Sequence, residues 1–112
     1  MSDACGHCRT FKNQQLETLR KSLPKEFKNV DLKVINLPEF SSPLPNDVPQ
    51  SIKNIISWFP MFILISKDQW DSGVLTNYSV FNGVVRPGAK PQYVSKYKLN
   101  VEDIFNWIEN GN

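Results

Sequence analysis

The 112 residues predict an α/β fold in a single domain spanning 1–112. Two features point there. Stretches with apolar residues at helical spacing alternate with short runs rich in Val, Ile and Phe, and residues that favour turns collect between them. Residues 6–23 are expected to form the first helix: Cys8, Phe11, Leu16, Leu19 and Leu23 fall in one stripe at 100° per residue, and Lys12, Glu17, Arg20 and Lys21 suit the wet side. Pro24 should stop it. Val30–Leu37 alternates loosely and is expected to be a short strand, and 38–46, with three prolines and two serines, a loop. Asp47 with Gln50 three residues on has capping-box spacing, and Pro49 suits a first turn, so a second helix should follow with Ile52, Ile55 and Ile56 on its apolar face. After Pro60, Met61–Ile65 should be a buried strand. Leu75–Val85 should hold a further strand or hairpin, turning at Asn82-Gly83. Arg86–Pro91 is expected to be a loop. Asn100 should cap a last helix with Asp103 opposite it, Val101, Ile104, Phe105 and Ile108 forming its stripe and Gly111 its C-terminal cap.

Composition excludes several classes. Thirteen basic and eleven acidic residues leave a net charge of +2 with no basic block, so neither nucleic acid nor an anionic membrane is an expected partner. The longest apolar run, 58–65, is too short to cross a bilayer, and no charged-then-apolar leader is visible, so a cytoplasmic setting is expected.

The chemistry concentrates in Cys5-Gly6-His7-Cys8. The chain has two cysteines, and random placement would give their spacing in roughly two cases in a hundred, so the pair carries information. At the start of a helix, Cys5 would face unpaired N–H groups and the positive dipole end, which favour a thiolate. An imidazolium at His7 would add to this, and Gly6 lets the chain turn tightly and leaves the sulfur approachable. Cys8, one turn on and in the apolar stripe, should be more buried. Cys5 is thus expected to attack a substrate disulfide and Cys8 to resolve the mixed disulfide. Two other uses of the pair stay open. A structural disulfide would close only a small ring. A zinc site would need about four ligands, and Cys5, His7 and Cys8 supply three, leaving Asp3 or a second chain to complete it.

The segment Ala4-Cys5-Gly6-His7-Cys8-Arg9 resembles the active site of the thioredoxin superfamily, its Gly-His dipeptide matching the protein disulfide isomerase type. Phe59-Pro60 ahead of 61–65 is similar to the family's cis-proline, which lies beside the dithiol, and Pro60 follows Cys8 by 52 residues. The order of elements after the motif is also similar. The resemblance implies a mixed central sheet flanked by helices and a thiol–disulfide oxidoreductase without cofactor or metal. Its couple would be more oxidising than a thioredoxin's, its substrates protein or peptide disulfides, and a further redox partner would recharge it. It also implies that Pro60 abuts the dithiol and that the Phe59 backbone pairs with an incoming peptide, with Trp58, Phe59 and Trp70 as candidate apolar contacts. Ordinary packing accounts equally for Trp58 and Trp70. The richness in Asn, Lys and Ile is similar to small redox proteins of large DNA viruses.

Three departures from the family pattern bear on these expectations. The family has a central strand just before the motif, whereas Met1–Ala4 is too short for one. The sheet is therefore expected to lack its first strand, to be rebuilt, or to take a strand from another chain, giving a monomer or a strand-sharing dimer. Ala4 stands where tryptophan is usual, and the buried upstream acid that relays protons has no counterpart. A non-catalytic binding or redox-sensing module is the alternative function, and a metal-linked dimer a third.

Overall fold

The first helix starts at a cysteine. In the computed structural model, which describes residues 1–110, the Cys5 backbone is extended (φ −93°, ψ 119°) and its sulfur accepts a hydrogen bond from the Cys8 amide, so α1 runs Gly6–Gln14. The expected single helix over 6–23 is corrected: Gln15 (φ −123°, ψ −29°) breaks it, and α2 runs Leu16–Glu26. The Gln15 amide closes α1 on the Phe11 carbonyl at 2.7 Å, while its side-chain Oε1 accepts from the distant Val101 amide at 3.2 Å. Pro24 does not stop α2 but lies in its last turn, which the Phe27 amide closes on the Leu23 carbonyl at 2.8 Å.

Residues 30–37 form no strand. Their one ladder contact is a parallel bridge between Ser2 and Leu37. The Leu37 amide donates to the Met1 carbonyl at 2.8 Å, the Asp3 amide to the Leu37 carbonyl at 2.6 Å, and the Met1 nitrogen to the Ile35 carbonyl at 2.6 Å. The short segment ahead of Cys5 therefore does pair, though too briefly to count as a strand. Farther up, residues 31–34 have no backbone partner among the described residues, which is why strand-forming side chains there do not yield a strand.

The second expected helix shrinks to one turn, α3, Gln50–Lys53, with Pro49 at its N-cap and no side-chain cap. Asp47 stands two residues ahead of that N-cap, and its carboxylate pairs with Lys33 Nζ instead. The strand expected over 61–65 is reduced to β1, Ile63–Leu64, half-buried and antiparallel to β2, Ser79–Val80, with Ile63 opposite Val80. Between them lies a helix the sequence reading did not include, α4, Lys67–Ser72. It is capped by Ser66 Oγ accepting from the Gln69 amide and ended by Gly73 at φ 74°. The turn expected at Asn82-Gly83 falls one residue earlier, on Phe81-Asn82, because Gly83–Val84 is β3 and pairs antiparallel with β4, Gln92–Tyr93. Asn82 sits in the left-handed region at φ 54°, held by its own side chain: Oδ1 accepts from the Lys96 and Tyr97 amides (3.1 and 2.7 Å), and Nδ2 donates to the Tyr97 carbonyl at 2.9 Å. The last helix, α5, Val101–Asn110, starts as the sequence predicts. Asn100 Oδ1 accepts from the Asp103 amide at 2.8 Å, and Asp103 Oδ2 accepts from the Lys98 amide at 2.7 Å. The expected cap at Gly111 lies outside the described residues.

The fold is thus a mixed one of helices and two small antiparallel sheets, β1–β2 and β3–β4. A single central sheet, as the resemblance implies, is not formed among the described residues. The core joins α1, α2 and α5 to the turn after β2 through Phe11, Leu16, Leu19, Phe81, Ile104 and Trp107. Phe81 is its hub, meeting Phe62 and Trp107 edge-on at 5.6 Å and stacking on Tyr97 at 5.4 Å. Between the 29–35 segment and residues 61–65 lies a cavity of about 530 Å³.

Candidate active site

The dithiol stands where two backbones meet. Cys5 caps α1, and its Sγ accepts the Cys8 amide at 3.1 Å. From the other side the Cys5 thiol faces the Phe59 carbonyl at 3.5 Å, across 54 residues of sequence, and the Phe59–Pro60 bond that follows is cis. The sequence expectation that Pro60 lies beside the dithiol therefore matches the geometry. The expectation of an exposed leading sulfur does not: Cys5 is 6% exposed and Cys8 2%. Cys5 is covered because the chain ahead of it is tied down. The Cys5 amide donates to the Ser2 carbonyl at 3.1 Å, Ser2 Oγ accepts the Ala4 amide at 3.2 Å, and Ser2 is itself 1% exposed.

Burial is the larger cause pushing the Cys8 thiol up from 9.0 to about 11. A hydrogen bond with the Cys5 side chain adds to the rise, and a backbone hydrogen bond from Ser2 opposes it. The thiol form of Cys8 is thereby favoured, and Cys5 occupies the helix N-terminus. Both are free thiols in this structure.

The remaining candidates divide. Gly6 is exposed, and a Cβ there would touch only the end of the Arg9 side chain at 3.9 Å, so space alone does not demand glycine. His7 is exposed and its side chain makes no hydrogen bond or ion pair among the described residues, so the bias it was expected to lend Cys5 has no contact behind it. Phe59 is half-buried, its ring tilted against Phe40 at 5.3 Å, and Phe40 is 55% exposed. Trp58 is turned to packing: its ring meets Tyr93 edge-on at 5.3 Å, and its Cη2 would lie 3.0 Å from a Cβ on Gly83. Trp70 sits on α4 beneath Lys33, whose Nζ is 5.1 Å from the ring centre. Sequence reasoning missed Ser2 and Phe40. Ser2 acts through its carbonyl as well as its hydroxyl, and the carbonyl leaves no mark in a side-chain pattern, while Phe40 reaches Phe59 from within a loop that carries no periodicity.

Among the described residues no group of three or more His, Cys, Asp or Glu side chains is placed to hold a metal ion, and no helix is long and apolar enough to cross a membrane. Comparison with family models, with curated proteins and with solved structures gives no match to this chain.

Proposed function

We propose that the chain is a thioredoxin-like thiol–disulfide oxidoreductase acting on protein or peptide disulfides through Cys5 and Cys8. One observation carries the reading: a helix-capping sulfur accepts the amide two residues into its own helix while facing the carbonyl that precedes Pro60. A sulfur so placed has a hydrogen bond ready for negative charge that develops on it.

In the reductive direction the Cys5 thiolate attacks one sulfur of the substrate disulfide. A Cys5–substrate disulfide forms, the substrate S–S bond breaks, and the second substrate sulfur leaves as a thiolate that takes up a proton. Cys8 then loses its proton and attacks Cys5 Sγ, which releases the first substrate sulfur and closes a Cys5–Cys8 disulfide. Two electrons and two protons pass from the dithiol to the substrate, and an external dithiol must return them. The high proton affinity of Cys8 keeps it from competing for the first attack. Trp58, with its ring committed to Gly83 and Tyr93, is withdrawn as a substrate contact, and Phe59 with Phe40 remains.

The test uses a protein carrying a single reducible disulfide, with dithiothreitol as the external dithiol. The wild type should accelerate its reduction, Cys5→Ser should not, and Cys8→Ser should accumulate a mixed disulfide visible by mass. Reduction no faster than with dithiothreitol alone, together with no trapped adduct, would remove the proposal. The 6% exposure of Cys5 favours a second reading, a redox-sensing module whose dithiol rarely meets substrate. In that case the pair would oxidise slowly and stoichiometrically, without turnover.

A further inference from the structure

The cavity between the 29–35 segment and residues 61–65 has the shape of an unfilled strand position. Its two long walls are the 29–35 and 61–65 segments, and both carry backbone groups without a hydrogen-bond partner among the described residues. On one wall, Leu37 exchanges bonds with Met1 and Asp3, and the Ile35 carbonyl accepts from Met1, so the odd residues turn their amides and carbonyls to that side. Continued upward, the same row contains the amides of Ile35 and Lys33 and the Lys33 carbonyl, none of which has a partner among the described residues. On the other wall the Phe81 amide donates to the Phe62 carbonyl, which makes residues 62 and 64 the ones facing β2. By alternation Met61, Ile63 and Ile65 face the cavity, and Met61 and Ile65 have no backbone hydrogen bond among the described residues.

We infer that this slot binds an extended apolar segment of a partner polypeptide as an added strand, parallel to residues 31–37. Three features select that occupant over a small apolar ligand. Two rows of unpaired backbone groups suit a peptide, which alone can satisfy both at once. The Ser2–Leu37 bridge already sets a parallel pairing at one end, and the slot continues it. The rest of the lining is mostly apolar, with Leu19 from α2, Ile52 and Ile56 from and just after α3, and Ile104 and Trp107 from α5, and Ser66, Lys67 and Asp71 are its polar members. A strand covered on both faces reads as a continuous Val/Ile/Leu run rather than an alternating one, and five to six residues match the length of 31–35. The segment therefore carries a short β-branched apolar run with charges only at its ends.

The experiment adds a blocked peptide, acetyl-Lys-Val-Ile-Val-Leu-Val-Lys-amide, to the full chain and follows amide hydrogen exchange residue by residue. Saturable binding should slow exchange at Lys33, Ile35 and Ile63 at least tenfold and leave Leu32 and Val34, whose amides face away, little changed. Lys33→Pro, which removes one inward donor, should weaken the peptide several-fold, whereas Leu32→Pro should not. Absence of binding, binding that leaves those three amides exchanging as before, or strong protection of them before any peptide is added would each overturn the inference. The last result, if it depended on protein concentration, would assign the slot to a second copy of the chain. Because the readout involves neither sulfur, it fails or succeeds independently of the redox proposal.

Discussion

A Cys5→Ser variant leaves Cys8 as the chain's sole thiol, and its reactivity with a small disulfide reagent against pH tests the chemical separation of the two sulfurs. In the wild type the Cys8 thiol is pushed from 9.0 to about 11, which lowers the thiolate fraction below pH 9 about a hundredfold, tenfold per unit; the variant loses the part of the rise that comes from Cys5, so that figure is its upper bound. A more basic thiolate is also a better nucleophile, and a Brønsted slope near 0.4–0.5 returns about eightfold over those two units. Ionisation alone therefore slows exchange by at most about tenfold, before the 2% exposure of Cys8 slows it further. The rate is thus a weaker discriminator than the profile. Because burial, the larger cause, survives loss of Cys5, the rate should climb tenfold per pH unit well beyond 9 before levelling. The same shift has a stability consequence. The folded chain binds this proton more tightly than the unfolded one, so the contribution is fully present below pH 9 and is lost as pH rises toward 11. Two units correspond to about 3 kcal/mol. Urea unfolding of reduced wild type should weaken by that order between pH 9 and 11, beyond the change seen in a Cys8→Ala variant. A reaction profile that levels at or below pH 9, or equal pH dependence in the two proteins, would refute the reasoning.

Other expectations follow from packing. Gly83→Ala would place a methyl 2.8 Å from Val80 Cγ1 and 3.0 Å from Trp58 Cη2, and overpacking of that kind should cost about 1–3 kcal/mol in urea unfolding. Asn82→Ala removes the acceptor of the Lys96 and Tyr97 amides and a donor to the Tyr97 carbonyl while leaving a left-handed backbone. At about 1 kcal/mol for each hydrogen bond and a similar backbone term, a loss of about 3–5 kcal/mol is expected, and Asn82→Asp, which keeps the acceptor, should lose less. Trp107 is 3% exposed and its Nε1 has no partner among the described residues, so Trp107→Phe discards an unsatisfied donor and should cost less, by roughly 1–3 kcal/mol, than Phe81→Ala in the same core.

What the sequence revealed, and what it hid, follows from the range of each interaction. The start of α5 was legible because Asn100 and Asp103 act within one turn of each other. The α1 start and the Cys8 burial were legible for the same reason, and Pro60 beside the dithiol was legible only through the family resemblance. The helix at 67–72 carried an equally local signal, Ser66 with Gln69 and then Gly73, which the surrounding apolar runs obscured. Partnership decided the elements that failed. Residues 31–37 have strand-forming side chains but backbone partners only at the lower end, and α3 starts too late for Asp47, which instead pairs with Lys33. At the break, the Gln15 side chain takes as its partner an amide 86 residues away, which no window along the sequence contains. The covering of Cys5 arises from the Ser2 backbone, and main-chain bonds leave no trace in side-chain pattern.

Gln15 also links the two ends of the molecule. By spending its side chain on the first amide of α5, it makes the residue that separates the dithiol helix from α2 the anchor of the C-terminal helix as well. The break between α1 and α2 and the start of α5 are therefore tied by one side chain, beside the packing of Phe11, Leu16 and Leu19 with Ile104 and Trp107, so Gln15→Ala should loosen the start of α5 without touching either cysteine.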